Sequence, residues 1–254
     1  MRILVADDTD IVRIYLAETL RAHGFEVEVA ADGAQALKAA SEQRFAALLL
    51  DLRMPGLFGD VVLDRLRADA GACSQQVPAI VMSSEMNPTT ASALLARGFA
   101  AALGKPVPVQ QLLDAVHRAT DPGRAQTRSD PADPLSDMAA PVDLARLPLL
   151  DDERALIALG KPALVPGLRL LFRQELALRG TALMEATHNC AASRIRELIH
   201  QLLASCALCG ATRMEAALKE LRHAAIAGDW PRAQAAANRL TEVLAALDLV
   251  LPDA

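Results

Sequence analysis

The sequence predicts two folded parts of different class, an α/β domain followed by an all-α domain. Short apolar runs alternate with amphipathic stretches over the first 120 residues, which is the pattern of a parallel sheet with helices on both faces. Beyond residue 142 the strand pattern ends and helical periodicity continues. A length of 254 residues also fits two domains better than one. We therefore expect a doubly wound, five-stranded sheet over 1–120 and a four-helix bundle over 143–254.

The first part contains five apolar runs, each short enough to be one strand. They are Ile3–Ala6, Val27–Ala30, Ala46–Leu50, Ala79–Met82 and Ala100–Leu103. Amphipathic stretches separate the runs and predict helices near 10–22, 33–41, 59–68, 88–97 and 108–119. Because strands alternate with helices along the chain, the strands are expected to run parallel.

A proline-containing segment divides the two parts. Residues 121–142 combine four prolines with Ser, Asp and Arg, and we predict a flexible linker there. Helices are then predicted near 151–159, 162–188, 191–208, 212–227 and 230–247. Gly210 and Gly228 lie where helices should end. Connections of two or three residues between long helices force neighbouring helices to run antiparallel, as in a four-helix bundle.

Composition and charge exclude several classes of function. The net charge is −5 and Lys and Arg are scattered singly, so we expect no direct contact with nucleic acid. The longest stretch without charge, Leu198–Thr212, is shorter than the roughly 18–20 apolar residues of a membrane span, and no insertion is expected. No secretory leader precedes the first strand, so we expect a cytoplasmic protein whose four cysteines are free thiols.

Polar side chains follow four of the five predicted strands. They are Asp7-Asp8 after the first strand, Asp51 after the third, Ser83-Ser84 after the fourth and Lys105-Pro106 after the fifth. The carboxyl ends of parallel strands form the functional crevice of such a sheet. Three converging carboxylates repel one another unless a hard divalent cation lies among them, and Mg²⁺ fits oxygen ligands. A lysine and a hydroxyl facing the same carboxylates are what a phosphoryl group on Asp51 would require.

This set of residues resembles the receiver domain of two-component response regulators, which has a flavodoxin-like fold. The resemblance covers about residues 1–120. It implies that Asp51 is the phosphoacceptor and that Asp7, Asp8 and Asp51 bind Mg²⁺, with the backbone carbonyl of Arg53 completing the metal sphere. It also implies a cognate sensor histidine kinase as partner, because neither part of the chain carries the ATP-binding machinery of a kinase. We expect no separate enzyme activity beyond self-phosphorylation, dephosphorylation and His-Asp phosphotransfer.

The same resemblance assigns two further residues and reveals two departures. Ser83 corresponds to the switch hydroxyl, and Lys105 to the lysine that contacts the phosphate, in a Lys-Pro whose peptide bond is often cis in the family. The family usually has alanine after the switch residue, where this chain has Ser84. It usually has an aromatic three residues before the lysine, where this chain has Ala102. Without that aromatic, the usual side-chain rotation that reports phosphorylation is missing.

The second part contains a candidate histidine in its third predicted helix. Apolar residues at spacings of three and four form one face of this helix, and His200 lies off that face. Leu203, Ala204 and Ala207 follow it at three, four and seven residues. We expect His200 to be exposed and accessible to another protein, and its imidazole is a nucleophile near neutral pH. Cys206 and Cys209 fall on the apolar face and are expected to be small core residues.

The stretch from His200 to Ser205, followed by Gly210-Ala211, resembles the histidine-containing phosphotransfer domain over about 143–250. The family has Lys and Gly at three and four residues after the histidine, where this chain has Leu203 and Ala204. Two functions stay open. The bundle could be a docking module whose exposed Leu203, Ala204 and Ala207 bind another receiver or a target protein under the control of Asp51. Alternatively, it could be a phosphorelay intermediate that passes the phosphoryl group through His200.

Overall fold

A computed structural model describes residues 1–121, 144–160 and 162–252 of the chain. The chain divides into two compact units, Met1–Ser136 and Asp137–Ala254. Apart from Asp121, the predicted linker 121–142 lies outside the described residues. The domain boundaries inferred from the sequence therefore stay predictions, and the two units are described separately.

The N-terminal unit contains a five-stranded parallel sheet, as the sequence predicts. Its strands are β1 (Arg2–Ala6), β2 (Glu26–Ala30), β3 (Ala47–Asp51), β4 (Ala79–Ser83) and β5 (Ala101–Gly104). They lie in the order β2-β1-β3-β4-β5, and every neighbouring pair is parallel. The predicted strand bounds are correct to within one residue. The order reverses direction between β1 and β3, which is where an open parallel sheet forms its crevice.

Five helices flank this sheet. They are α1 (Asp10–Ala22), α2 (Gly33–Glu42), α3 (Gly59–Ala68), α4 (Pro88–Ala96) and α5 (Val109–Thr120). One buried apolar cluster joins alternate strand residues such as Leu4, Leu48 and Val81 to apolar side chains of the second, third and fourth helices. The intervening strand residues are buried as well, among them Val5 and Leu49. Since successive strand residues point to opposite faces, both faces of the sheet are covered.

The C-terminal unit is helical in its described residues. It consists of α6 (Asp152–Leu159), α7 (Val165–His188), α8 (Ala192–Cys209), α9 (Thr212–Ile226) and α10 (Trp230–Asp248), with single 3₁₀ turns before α6 and α7. Each of the last four helices packs against the next, α10 packs against α7, and α6 lies against α8. The connections between them are the short ones that the sequence predicts.

Gly210 ends α8, as predicted, and it adopts the left-handed conformation with φ of 71°. A Cβ at this position would lie 2.1 Å from the carbonyl oxygen of Asp151, so glycine also permits the close approach of the segment before α6. Within the described residues, no single helix has the length and apolar character that a membrane span needs. The bent pair Asp152–Leu159 and Pro162–His188 meets that criterion by length and composition alone.

Candidate functional site

The register of the sheet brings the predicted site residues of the N-terminal unit to one edge. Ala6 pairs with Leu50, so the residues that come next, Asp7 and Asp51, lie side by side at the ends of β1 and β3. Asp51 in turn pairs with Met82 on β4. Ser83 pairs with Gly104, the residue before Lys105. The candidate site is therefore a direct product of strand pairing, because each side chain belongs to the last residue of a strand or to the first residues beyond it.

Lys105 joins two carboxylates inside this crevice. Its Nζ lies 2.6 Å from Oδ2 of Asp7 and 2.9 Å from Oδ2 of Asp51, and all three side chains are almost completely buried. The backbone N–H of Lys105 donates to the carbonyl of Ser83 at 2.8 Å, which fixes the lysine beside the end of β4. The Lys105–Pro106 peptide bond is cis, as the resemblance to receiver domains implies.

Asp7 is held at each of its polar atoms. Its N–H donates to the carbonyl of Ala30, and its own carbonyl accepts from Nη1 of Arg13 at 2.6 Å. Oδ1 accepts the N–H of Thr9 at 3.0 Å, and Oδ2 pairs with Lys105. This carboxylate is thus fixed in place by the backbone of the β1–α1 loop.

Asp51 differs from Asp7 because only one of its two carboxylate oxygens has a partner among the described residues. Oδ2 pairs with Lys105, whereas Oδ1 is buried and has neither a hydrogen bond nor an ion pair among the described residues. A buried carboxylate oxygen without a partner is costly. Its presence here marks Asp51 as the carboxylate with capacity to bind or react.

Burial raises the pKa of Asp51 to about 7. Lys105 opposes this shift, and the neighbouring Asp7 and Asp8 carboxylates add to it. Burial alone would lower the pKa of Lys105, but the attraction of Asp51 and Asp7 outweighs burial and raises it, so the lysine is charged. The crevice therefore holds one fixed cation and more acidic groups than that cation can neutralise.

The acidic residues fit a divalent metal ion. Asp7, Asp8 and Asp51 each offer a carboxylate oxygen, and these oxygens lie within 4.8 Å of one another. The oxygen-only donor set is the type that Mg²⁺ prefers, and Oδ1 of Asp51, which has no hydrogen bond among the described residues, would gain a partner if a cation were bound. The Arg53 side chain is directed to Glu85, with Nη2 to Oε2 at 2.7 Å. The role predicted for the Arg53 carbonyl stays a prediction.

Ser83 lies at the end of β4 and is buried. Its hydroxyl accepts the backbone N–H of Glu85 at 3.1 Å, which leaves the hydroxyl proton available to donate elsewhere. Ala102 lies in β5, half-buried against the apolar cluster that also includes Met86. At the position of the family's aromatic there is thus a small side chain within the core packing.

The prediction that His200, Leu203, Ala204 and Ala207 are exposed is wrong. His200 and Leu203 are each 8% exposed, and Ala204 and Ala207 are each 5% exposed. Periodicity predicts that one side of α8 faces solvent, but every residue from Leu198 to Cys209 is buried. The roles proposed for these four residues are untested by this geometry, which shows only that they are covered.

The cysteines divide into two classes. Cys206 and Cys209 are buried in α8, where burial raises the pKa of both thiols, as expected for core residues. Cys73 and Cys190 are exposed, and all four are free thiols.

Comparison with known proteins found a family match for the N-terminal unit. The family of the response regulator receiver domain matches residues 3–117. The chain is 34% identical over 116 residues to the sensory/regulatory protein RpfC of Xanthomonas campestris pv. campestris, covering 46% of this chain and 16% of that protein. It is 39% identical over 115 residues to the transcriptional regulatory protein PrrA of Mycobacterium tuberculosis, covering 45% of this chain and 48% of that protein.

Among solved structures, the chemotaxis response regulator CheY4 of Vibrio cholerae is 30% identical, with a TM-score of 0.43, over 46% of this chain and 97% of that one. The chain spans about one sixth of RpfC and about half of PrrA. The family match over residues 3–117 shows that the N-terminal unit contains a response regulator receiver domain, the class of module used in two-component signalling. The family match ends at residue 117, and the phosphotransfer-like character of the helical unit stays a prediction.

Proposed function

We propose that Asp51 accepts a phosphoryl group, with Mg²⁺ bound by Asp7, Asp8 and Asp51, and that this modification controls the helical unit. The observation that carries the proposal is the buried Oδ1 of Asp51, which has no hydrogen bond or ion pair among the described residues. Asp7 lies in the same cluster but has each of its polar atoms engaged. In this proposal Asp7 is a fixed metal ligand and Asp51 is the reactive group.

In the proposed reaction, an oxygen of Asp51 attacks the phosphorus of a phosphohistidine on a sensor kinase, or of a small phosphodonor. A new P–O bond forms as the P–N or P–O bond of the donor breaks, and the leaving group takes the electron pair. When bound, Mg²⁺ neutralises charge on the phosphoryl oxygens. Asp51 must be ionised to attack, and with a pKa near 7 a cation at the site favours that form.

Lys105 and Ser83 hold the product. The ammonium of Lys105 already contacts Asp51 and can pair with a phosphoryl oxygen on it through a charge-assisted hydrogen bond. The Ser83 hydroxyl proton can donate to another. Both contacts would draw the ends of β4 and β5 towards Asp51, which is how the modification would alter the surface of the domain.

The test is labelling by acetyl phosphate with Mg²⁺, followed by mass spectrometry of the intact protein. Wild type should gain one phosphate that hydroxylamine removes, since an acyl phosphate reacts with that nucleophile. Asp51→Asn should gain none because the amide is not nucleophilic. Asp64→Asn is the matched control, since this exposed carboxylate pairs with Arg97 on the protein surface. Labelling of Asp51→Asn at the wild-type rate would overturn the proposal.

For the helical unit, we propose a four-helix bundle, similar to the phosphotransfer domain, that acts mainly as a docking module for a partner. Support comes from α7 to α10, which pack in sequence and close with α10 against α7. Because His200 and Leu203 are covered, docking at this face requires that the face be uncovered. We propose that phosphorylation of Asp51 uncovers this face of α8.

Hydrogen exchange tests this proposal. The amides of residues 198–209 should exchange faster when beryllofluoride and Mg²⁺ mimic phosphorylation, and Asp51→Asn should abolish the increase. Equal protection with and without the mimic would count against phosphorylation-controlled docking.

A relay through His200 is the alternative role. It predicts an acid-labile, alkali-stable phosphate on the histidine after phosphorylation of Asp51, which His200→Ala would remove. Failure to detect that phosphate under conditions that label Asp51 would exclude the relay.

A further inference from the structure

A single buried hydroxyl ties the lysine-bearing loop of the candidate site to the first helix. The side chain of Tyr15, on α1, is 1% exposed, and its hydroxyl donates to the carbonyl of Val107 at 2.7 Å. Val107 is two residues after Lys105 and is itself buried. The hydrogen bond spans 92 residues of sequence and joins α1 to the loop between β5 and α5.

This loop has few other means of fixing its backbone. Two of its four residues, Pro106 and Pro108, have no N–H to donate. Its first residue is anchored by the bond from the Lys105 N–H to the carbonyl of Ser83. The Tyr15 bond provides a second anchor on the far side of Pro106, so Lys105 is held between two fixed points.

The chemistry of Tyr15 suits a permanent donor. Burial raises the pKa of its hydroxyl, so the group stays protonated at physiological pH. If the bond were lost, the buried carbonyl of Val107 would have to find another donor, and the loop would shift to do so. Such a shift displaces Lys105 but leaves the β1–α1 loop alone, because that loop is fixed by Thr9 and Arg13.

We propose that Tyr15 is a positioning residue that sets the contact of Lys105 with a phosphoryl group on Asp51. This inference rests on the phosphorylation proposed above and extends it to a residue of α1 outside the carboxylate cluster of Asp7, Asp8 and Asp51. Its consequence is a separation of two properties. Mg²⁺ affinity depends on the three carboxylates and should not require Tyr15, whereas retention of a phosphoryl mimic depends on Lys105 and should require it.

Tyr15→Phe tests the inference because it removes the hydroxyl and keeps the ring. We expect unchanged Mg²⁺ affinity by calorimetry and a several-fold weaker affinity for beryllofluoride in saturating Mg²⁺. In a Lys105→Ala background, Tyr15→Phe should have no further effect on beryllofluoride affinity, since the group it positions is gone. A merely structural role would lower beryllofluoride affinity equally in both backgrounds.

Ser74→Ala is the matched control. Ser74 is buried in the same unit, and its hydroxyl donates to the carbonyl of Gln43 at 2.6 Å, but it lies before β4, at the opposite end of the sheet from the crevice. This variant loses a hydroxyl-to-carbonyl bond of the same kind, together with the bond that the hydroxyl accepts from the Phe45 N–H at 3.1 Å, and we expect wild-type affinity for beryllofluoride. If Tyr15→Phe behaved like Ser74→Ala, the inference would be wrong, whereas absence of beryllofluoride binding to wild type would instead refute the proposed function.

Tyr15 is the only tyrosine in the chain, which allows a second test that does not remove its hydroxyl. Incorporated fluorotyrosine gives one ¹⁹F resonance. We expect this resonance to shift when beryllofluoride binds and to lose that response in Lys105→Ala. A resonance that does not respond in the wild-type sequence would overturn the inference even if Tyr15→Phe failed to fold.

Discussion

At the scale of single residues, the candidate site is defined by how charge is distributed over four side chains. Lys105 carries one positive charge between Asp7 and Asp51, while Asp8 stands partly exposed beside them. The excess of negative charge makes these carboxylates repel one another. A divalent cation relieves this repulsion, and in its absence a proton on Asp51 does so.

The first prediction follows from the Asp51 pKa of about 7, against an ordinary value of 3.8. Between about pH 4 and pH 7 the folded protein binds more protons than the unfolded chain. The free energy of unfolding should therefore fall as pH rises through this window, by at most about 4 kcal/mol. Asp51→Asn removes the titrating group, so without Mg²⁺ it should be more stable than wild type at pH 8, with the difference shrinking towards pH 4.

Urea denaturation with a metal chelator, at several pH values, measures this difference. Asp114→Asn serves as the control, because that carboxylate accepts a hydrogen bond from Gln110 within α5. Parallel stability curves for Asp51→Asn and wild type from pH 4 to pH 8 would contradict the assignment of the shift to Asp51.

The second prediction concerns backbone strain at Cys190, between α7 and α8. Its φ is 53°, in the left-handed region that favours glycine over residues with a Cβ. Cys190→Gly should raise the free energy of unfolding by about 1 kcal/mol. Cys73→Gly, at the other exposed cysteine, should bring no gain because its φ is not positive. Thermal unfolding of both variants distinguishes relief of strain from simple loss of a thiol.

At the scale of elements, the start of α3 is tied directly to the acceptor strand. The N–H of Gly59 donates to the carbonyl of Leu52, and a Cβ on Gly59 would lie 2.3 Å from the carbonyl oxygen of Asp51. The helix can therefore approach the end of β3 only because its first residue has no side chain.

The third prediction is that Gly59→Ala forces α3 and the end of β3 apart. We expect a loss of about 1–3 kcal/mol in the free energy of unfolding and slower phosphorylation of Asp51. Gly71→Ala provides the comparison, since a Cβ there meets only Asp69 Oδ1 at 3.4 Å, an ordinary contact. Equal labelling rates for the two variants would show that this close approach does not matter to the site.

Most elements could be predicted because their signals are local. Strand and helix bounds follow from periodicity, and the meeting of Asp7, Asp51, Ser83 and Lys105 follows from a parallel sheet. The Tyr15 bond to Val107 could not be predicted, because nothing in the spacing of either residue marks a contact across 92 positions. The burial of His200 was missed for a related reason: periodicity identifies the most apolar face of α8 but does not reveal whether the other faces are also covered.

At the scale of the whole molecule, the N-terminal unit has its own core on both faces of the sheet. The fourth prediction is that residues 1–121 produced alone fold and bind beryllofluoride with Mg²⁺, because the apolar cluster and the acidic crevice lie within them. Circular dichroism and calorimetry measure both properties. A fragment that is unfolded in Mg²⁺ would show that the receiver domain depends on the rest of the chain.

The distribution of thiols gives the protein two native sites for cysteine-specific labelling. Cys73 and Cys190 are exposed, one in each compact unit, while burial keeps Cys206 and Cys209 protonated and unreactive. A maleimide spin label should therefore attach twice to the native sequence. Pulsed electron resonance would then yield the distance between the labels, and if Asp51 controls the helical unit, adding beryllofluoride with Mg²⁺ should change that distance in wild type but not in Asp51→Asn.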